Sequence, residues 1–147
     1  MDHDIQELVD LAARARARAH APYSGFPVGA AVVTDAGIFV GCNVENASYG
    51  LTCCAERVAI FTAVAAGATT LHAVAVVSGP GASCCGACRQ VLAEFAEDVP
   101  VHLADAEGNV RTTSLSQLLP GAFRPRHLED GARPGEDGPQ PGEGGPA

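Results

Sequence analysis

Lysine and tryptophan are absent from this chain of 147 residues, and methionine occurs once. All 9 basic residues are therefore arginine, and with 17 acidic residues they give a formal net charge of −8 at pH 7. An excess of negative charge argues against a nucleic acid or an anionic membrane as the partner, because both are negatively charged themselves. We expect a neutral small molecule instead.

A long uninterrupted hydrophobic run is also missing. Residues 58–88 contain no Asp, Glu, Lys or Arg, but Gly67, Gly79 and Pro80 interrupt them well short of a segment that could span a bilayer. Residues 1–10 are acidic and mixed, which is not typical of a secretory signal. We therefore expect a cytoplasmic protein, in which the 6 cysteines do not form a disulfide framework.

The composition is that of a globular domain with a different C-terminal segment. Hydrophobic residues make up 47% of the chain and charged residues 18%, which predicts one folded domain. At this length no disulfide or structural metal is needed for folding, so a metal site would be functional. Residues 129–147 are rich in Gly, Pro, Glu and Asp and contain no Val, Leu, Ile or aromatic residue. They predict a disordered tail after a domain of residues 1–128.

Hydrophobic periodicity predicts an alternation of helices and strands. Asp4 and Glu7 resemble a capping box ahead of apolar residues at helical spacing, and residues 35–37 separate two β-branched runs as in a hairpin. Five strands with interleaved helices predict an α/β domain of three layers, α/β/α, with a mixed five-stranded sheet. The predicted strands are residues 28–34, 38–44, 71–77, 99–104 and 110–113, and the predicted helices are residues 5–20, 54–66, 85–97 and 114–119.

The predicted helix at residues 54–66 has no charged residue after Arg57. A helix that is apolar on every side is usually buried on every side. In a domain of this size, burial requires the sheet together with a neighbouring helix or a second subunit. Homo-oligomerisation is therefore a hypothesis that the sequence supports.

Five of the cysteines form two clusters, each at the start of a predicted helix that follows a strand. Three thiolates from two helix N-termini can bind Zn²⁺ and leave a fourth tetrahedral position for water, which is typical of a catalytic zinc site. Helix N-termini also lower thiol pKa values. Spacing alone does not decide which member of each adjacent pair binds. The clusters are Cys53 and Cys54, then Cys84, Cys85 and Cys88.

Two charged residues follow Cys54 directly, and both suit a hydrolytic zinc site. Glu56 is placed for proton transfer: one carboxylate can take a proton from water, deliver it to a ring nitrogen and then to a leaving amine. Three thiolates leave Zn²⁺ with a net charge of about −1, which makes bound water less acidic. Arg57 could restore Lewis acidity by donating a hydrogen bond to a thiolate.

Other interpretations remain open at this point. A Cys-x-x-Cys pair at a helix start is also typical of a thioredoxin-like redox site, and a purely structural zinc site is a further alternative. Glu56 alone would be an ordinary helix N-terminal charge. The second cysteine cluster favours hydrolytic zinc chemistry, because a redox pair does not require it.

The two motifs together resemble the zinc signature of the homotetrameric cytidine deaminases. They are residues 54–57 (CAER) and 85–90 (CGACRQ), and the likeness extends over residues 21–31, 41–49 and 118–123. The resemblance implies hydrolytic deamination of cytidine and deoxycytidine to uridine and deoxyuridine with release of ammonia, as in pyrimidine salvage. A zinc-bound hydroxide would attack C4. Blasticidin S or another aminated heterocycle is the alternative substrate.

The same resemblance implies a role for each matching residue. It implies one Zn²⁺ per subunit, Glu56 as the proton shuttle, Arg57 as charge compensation at the zinc site, and a homotetramer with shared active sites. One departure is Cys84, which occupies a position where the family usually has proline. The implied zinc ligands are Cys54, Cys85 and Cys88, and the implied substrate-binding residues are Phe26, Asn43, Glu45, Ala55 and, from a neighbouring subunit, Phe123.

Overall fold

The computed structural model describes residues 2–131, in which five strands lie between helical layers. The helices are α1 (Ile5–Arg16), α2 (Ala55–Ala65), α3 (Gly86–Phe95), α4 (Leu115–Leu118) and α5 (Pro125–Gly131), and a single 3₁₀ turn covers Tyr49–Leu51. The strands are β1 (Val28–Thr34), β2 (Gly37–Cys42), β3 (Leu71–Ser78), β4 (Pro100–Ala104) and β5 (Val110–Ser114).

The sheet is mixed, as predicted. Its strand order is β2-β1-β3-β4-β5. Strands β3 and β4 pair in parallel, and the other three pairs are antiparallel. The parallel pair requires a crossover connection, which α3 supplies. This crossover carries the second cysteine cluster to one end of β3.

Alternation along β1 divides the core into two parts, one on each face of the sheet. Ala30 and Val32 are buried against residues of α2 and α3. Ala31 and Val33 are buried against α1 on the opposite face. Successive strand residues point to opposite faces, so helices cover both sides. The three-layer α/β/α prediction is confirmed.

Helix α1 begins where the sequence predicts and ends earlier. The Asp4 carboxylate accepts hydrogen bonds from the backbone N–H groups of Gln6 and Glu7 at 2.8 and 3.2 Å. The predicted end at His20 is wrong, because the helix ends at Arg16. His20 instead pairs with the chain after β2: its N–H donates to the Asn43 carbonyl at 3.0 Å. This pairing draws residues 17–20 out of the helix.

Glycine allows α2 to lie directly on β2. A Cβ atom added at Gly41 would be 2.5 Å from the Ala59 nitrogen and 2.6 Å from the Ala55 carbonyl oxygen. No other residue type fits this gap without displacing the helix. The position of the first turn of α2 therefore depends on Gly41.

The outer side of α2 is not covered by residues 2–131. Ala59, Ile60 and Ala63 are buried, whereas Phe61 is 50% exposed and Val64 is 40% exposed. Burial on every side, which the sequence predicts, is thus not reached within this part of one chain.

Helix α5 lies across the predicted C-terminal boundary of the domain. Helix α5 extends to Gly131, three residues beyond the predicted domain end at residue 128. Its first residue is Pro125, a favourable residue for the first turn of a helix. The rest of the predicted tail, residues 132–147, lies outside the described residues. Among residues 2–131, the helices are all too short or too polar to cross a bilayer.

Candidate active site

Three cysteine sulfurs converge at the N-termini of α2 and α3. The Cys54 Sγ lies 3.7 Å from the Cys85 Sγ, which lies 3.5 Å from the Cys88 Sγ. All three ligand atoms lie within 4.8 Å of one another. Zinc–sulfur bonds of about 2.3 Å in tetrahedral geometry would separate sulfurs by about 3.8 Å. The cluster therefore fits Zn²⁺ with one coordination position left over.

Local backbone structure explains why these three thiols meet. Cys54 and Cys85 are the N-cap residues of α2 and α3, each in an extended conformation, and Cys88 is in the first turn of α3. Cys53 exchanges backbone hydrogen bonds with Val44 at 2.9 Å. Neighbouring residues of an extended chain point in opposite directions, so Cys54 faces the cluster and Cys53 does not.

Hydrogen bonds link the thiols to one another and to a guanidinium group. Hydrogen bonding from the Cys88 thiol holds the pKa of Cys54 well below its usual range, and Arg57 lowers it further. The Arg57 Nη2 donates to the Cys54 Sγ at 3.4 Å. The pKa of Cys88 is raised, because its proton is held on the Cys54 thiolate and the thiol is buried. A thiolate is thus available to bind a metal cation.

Glu56 lies in the first turn of α2, two residues after Cys54. Its side chain is only 4% exposed. Burial raises the pKa of Glu56, and the negative charge of Cys54 raises it further. A carboxyl group that is harder to ionise than usual holds a proton more readily and can pass it on, as a proton carrier must. Glu56 therefore has the properties of a proton carrier beside the thiol cluster.

A cavity of about 410 Å³ opens in front of this cluster. Its volume lies within the range of pockets that hold small ligands. Cys88 and Arg57 are not among the residues that line it. The predicted residues that line it are Phe26, Asn43, Glu45, Cys54, Ala55, Glu56 and Cys85.

Asn43 holds the segment that carries Phe26. Its Nδ2 donates to the Phe26 carbonyl at 2.8 Å, and its Oδ1 accepts from the Val28 N–H at 2.8 Å. The amide retains one hydrogen and one lone pair for a ligand. Asn43 thus fixes one wall of the cavity and still faces it.

Glu45 holds the preceding turn. Its Oε1 accepts from the backbone N–H groups of Tyr23 and Ser24 at 2.9 and 3.1 Å, and its Oε2 accepts from the Ser24 hydroxyl. The Ser24 hydroxyl lowers the pKa of Glu45, as do the two backbone N–H groups, so the carboxylate is ionised at neutral pH.

Ser24 is a pocket residue that the sequence analysis missed. Its Oγ also accepts from the Phe26 N–H at 3.0 Å. One hydroxyl therefore connects Glu45 with Phe26. The only local signal was a polar residue two positions before Phe26, which is too common a pattern to indicate a role.

Phe123 is absent from the lining of its own chain's cavity. Its side chain is 56% exposed and lies against the ring of His127, with the ring centroids 5.8 Å apart. Its carbonyl accepts from the Nε2 of Gln90 at 2.8 Å. The structure thus does not bring Phe123 together with the other predicted site residues within one chain.

Comparison with known proteins places this fold and this cluster in one family. Residues 2–103 match the model of the cytidine and deoxycytidylate deaminase zinc-binding region. The chain is 46% identical over 134 residues to cytidine deaminase of Sporosarcina psychrophila, covering 88% of this chain and 98% of that protein. It is 45% identical over 131 residues to cytidine deaminase of Halalkalibacterium halodurans, covering 86% and 99% of the two chains.

Solved structures agree with the sequence comparisons. Cytidine deaminase from Burkholderia pseudomallei superposes with a TM-score of 0.78 at 50% identity, over 82% of this chain and all of that chain. The enzyme from Mycobacterium tuberculosis superposes with a TM-score of 0.72 at 42% identity, over 83% and 98% of the two chains. The predicted fold class, the zinc cofactor and the resemblance are confirmed. The chain belongs to the family of zinc-dependent cytidine deaminases.

Proposed function

We propose that this chain hydrolyses the 4-amino group of cytidine and deoxycytidine, giving uridine or deoxyuridine and ammonia. The observation that carries the proposal is the position of Glu56, a buried carboxyl group in the same cavity wall as the thiol cluster. Cys54, Cys85 and Cys88 would hold Zn²⁺. The metal supplies Lewis acidity, which makes a water molecule nucleophilic at neutral pH.

Proton transfer is the part of the reaction that Glu56 performs. The reaction forms a C4–O bond and breaks the C4–N bond of the amino group, so both protons of the attacking water must move to nitrogen atoms, one to the ring and one to the amine. Glu56 takes the proton from the attacking water and delivers it to the ring nitrogen beside C4. It then carries the remaining hydroxyl proton to the amino group, which leaves as ammonia.

Asn43 and Glu45 are proposed to bind the sugar hydroxyls. A carboxylate offers about four lone-pair sites, and the Tyr23 and Ser24 contacts occupy three of them. One acceptor site on Glu45 remains for a sugar O–H, and Asn43 retains one donor and one acceptor. An ionised Glu45 would repel a 5′-phosphate. This charge favours nucleosides over nucleotides.

We further infer a cytoplasmic homotetramer with shared active sites. Phe61 and Val64 on the outer side of α2 are exposed apolar residues, and Tyr49, whose ring lies beside that of Tyr23, is 73% exposed. Burial of these residues against another copy would stabilise an assembly. Phe123 is exposed and does not line its own chain's cavity, which supports its action in a neighbouring subunit. The 6 cysteines all lie among the described residues and are unpaired, and free thiols are typical of proteins in a reducing compartment.

A substrate panel tests the proposed specificity. Ammonia release should be measured with cytidine, deoxycytidine, cytidine 5′-monophosphate and blasticidin S. We expect the two nucleosides to react and the monophosphate to react at least tenfold more slowly. The variant Glu45→Gln should lower kcat/KM for cytidine and narrow the difference between cytidine and its monophosphate. Turnover of blasticidin S without turnover of cytidine would refute the proposal.

A further inference from the structure

We propose that Arg124 is a positioning residue that fixes the ring of Phe123 for a neighbouring active site. This inference rests on the proposed function, in which Phe123 contacts the base of the substrate. Arg124 was not among the residues that the sequence motifs singled out. Its assignment comes from the contacts of its side chain.

Arg124 is a buried cation held by backbone carbonyl groups. Its residue is 8% exposed. The Nη1 donates to the carbonyls of Ala93 and Ala96 at 2.8 and 2.6 Å, and the Nη2 donates to the carbonyl of Glu97 at 2.7 Å. Burial of a guanidinium group is costly unless its donors are paired. These three bonds therefore specify one position for the side chain.

The bonds end on the C-terminus of α3, where a cation is most favourable. The last carbonyls of a helix have no partner within the helix and carry partial negative charge. The last turn of α3 contains no basic residue of its own. Arg124 supplies the missing cation from 27 to 31 residues further along the chain. It acts as the C-terminal cap of α3.

The salt bridge to Glu97 is a minor part of this anchor. The Arg124 Nε lies 3.5 Å from a Glu97 carboxylate oxygen, and the Glu97 side chain is 76% exposed. Exposed ion pairs of this kind contribute little to stability. Arg126 shares the same carboxylate at 2.7 Å but is itself 56% exposed. Arg126 is therefore a matched control for Arg124.

Phe123 is tied to α3 on both sides. Its own carbonyl accepts from Gln90, and the next side chain is the Arg124 cap. The Arg124 N–H also donates to the Nδ1 of His127 at 2.9 Å, and the His127 ring lies beside the Phe123 ring. An exposed phenyl ring on a free terminal segment would sample many positions. Here the backbone that carries the Phe123 ring is fixed to α3.

Helix α3 connects the anchored backbone of Phe123 with the thiol cluster. Cys88 is in its first turn and Arg124 binds its last turn, so one helix of 10 residues, about 15 Å long, separates them. Phe123 is thereby held at a defined distance from the zinc ligands of its own chain. A group that is held in place before binding loses less conformational entropy when the ligand arrives.

A double-mutant cycle on kcat/KM for cytidine tests the proposal. Phe123→Ala should lower kcat/KM roughly tenfold to a hundredfold, since it removes an aromatic ring stacked on a base. Arg124→Gln should lower it by about fivefold, mainly through a higher KM. In the Phe123→Ala background, Arg124→Gln should change it by less than about twofold. Arg124→Lys should lower kcat/KM less than Arg124→Gln does, and Arg126→Gln should leave it unchanged.

A second measurement does not depend on activity. The chain contains no tryptophan, so Phe123→Trp introduces a single fluorophore at the position in question. Adding Arg124→Gln should lower the fluorescence anisotropy of that fluorophore, and adding Arg126→Gln should not. Unchanged anisotropy would overturn the positioning role.

The two proposals fail in different ways. If Phe123→Ala leaves kcat/KM unchanged, the base contact itself is wrong, and the role of Arg124 falls with it. Suppose instead that Phe123→Ala lowers kcat/KM, and that Arg124→Gln lowers kcat/KM by the same factor in the native protein and in the Phe123→Ala variant. The base contact of Phe123 is then supported. Arg124 is then only a structural residue.

Discussion

Gly41 of β2 lies against the backbone of Ala55 in α2, and this contact sets the position of α2 on the sheet. A Cβ atom at Gly41 would approach the Ala55 carbonyl oxygen to 2.6 Å. The same turn of α2 carries Glu56 and follows Cys54. The closeness of a strand and a helix thus determines where the carboxyl group and one zinc ligand lie.

Gly41→Ala should therefore damage both stability and activity. Overpacking of this kind typically costs about 1–3 kcal/mol in the free energy of unfolding, and here the clash is with backbone atoms that cannot rotate away. Urea denaturation would measure the loss. Gly50→Ala is the control, because a Cβ at Gly50 meets no atom within 4 Å. Equal stability of the two variants would contradict the packing described for α2.

Metal analysis of five cysteine variants should separate ligands from neighbours. Replacement of Cys54, Cys85 or Cys88 by alanine removes one of three ligands and should abolish stoichiometric zinc. Cys53→Ala and Cys84→Ala should retain it, since neither thiol belongs to the cluster. Zinc per subunit can be measured by atomic emission after gel filtration. Loss of zinc from Cys53→Ala, with zinc retained in Cys54→Ala, would show that the wrong member of the pair was chosen.

His102 should make the protein less stable in mild acid. It is 2% exposed on β4, and burial lowers its pKa, helped by the charge of His3. An unfolded histidine titrates near pH 6.5, so below that pH the unfolded state binds more protons. Stability is complete above about pH 6.5 and falls as the pH decreases through the lower folded pKa, by at most about 1.4 kcal/mol per pH unit for one proton.

The same histidine provides the test. The free energy of unfolding should be measured between pH 7.5 and pH 5 for the native protein and for His102→Gln. The variant should show a shallower loss over this range, although it is less stable at pH 7.5 because the contacts of His102 with Thr112 and His3 at 2.8 and 2.9 Å are changed. An identical slope for both proteins would assign the acid sensitivity to other groups.

Subunit mixing should reveal whether active sites are shared. Phe123→Ala and Glu56→Gln should each weaken or abolish activity alone. If Phe123 of one subunit acts beside Glu56 of another, mixed oligomers contain some sites with both native residues, and activity should rise after subunit exchange. A mixture of Glu56→Gln with Cys54→Ala is the control, because both residues line the cavity of the same chain. No rise above the unmixed proteins would argue against sharing.

The two cysteine groups and the strands of the sheet were predicted from local patterns, whereas the choice of Cys54 and Cys85 within their pairs came from the family resemblance. Cys85 and Cys88 lie one helical turn apart, and β-branched runs mark the strands. The early end of α1 was missed, because the pairing of His20 with residues after β2 is a tertiary contact that overrides helix periodicity.

The residues around the site that the sequence did not predict were missed for the same reason, namely tertiary contacts over long sequence separations. Ser24 bonds Glu45 across 21 residues, and Arg124 bonds the Ala93 carbonyl across 31 residues. Neither contact leaves a periodic signal, since side chains bonded to distant groups need no particular spacing. Helix α5 was missed because its composition is close to that of the Gly- and Pro-rich segment that follows. The sequence identifies the reactive groups better than it identifies what holds them.

The central claim is that Glu56 moves the protons of a hydrolytic deamination. The most direct measurement is ammonia release from cytidine by the zinc-loaded native protein and by Glu56→Gln, purified side by side. We expect release by the native protein and a loss of at least about a thousandfold in kcat for the variant, with zinc retained and the unfolding midpoint nearly unchanged. Comparable release by both proteins, or none by the folded zinc-loaded native protein, would contradict the claim.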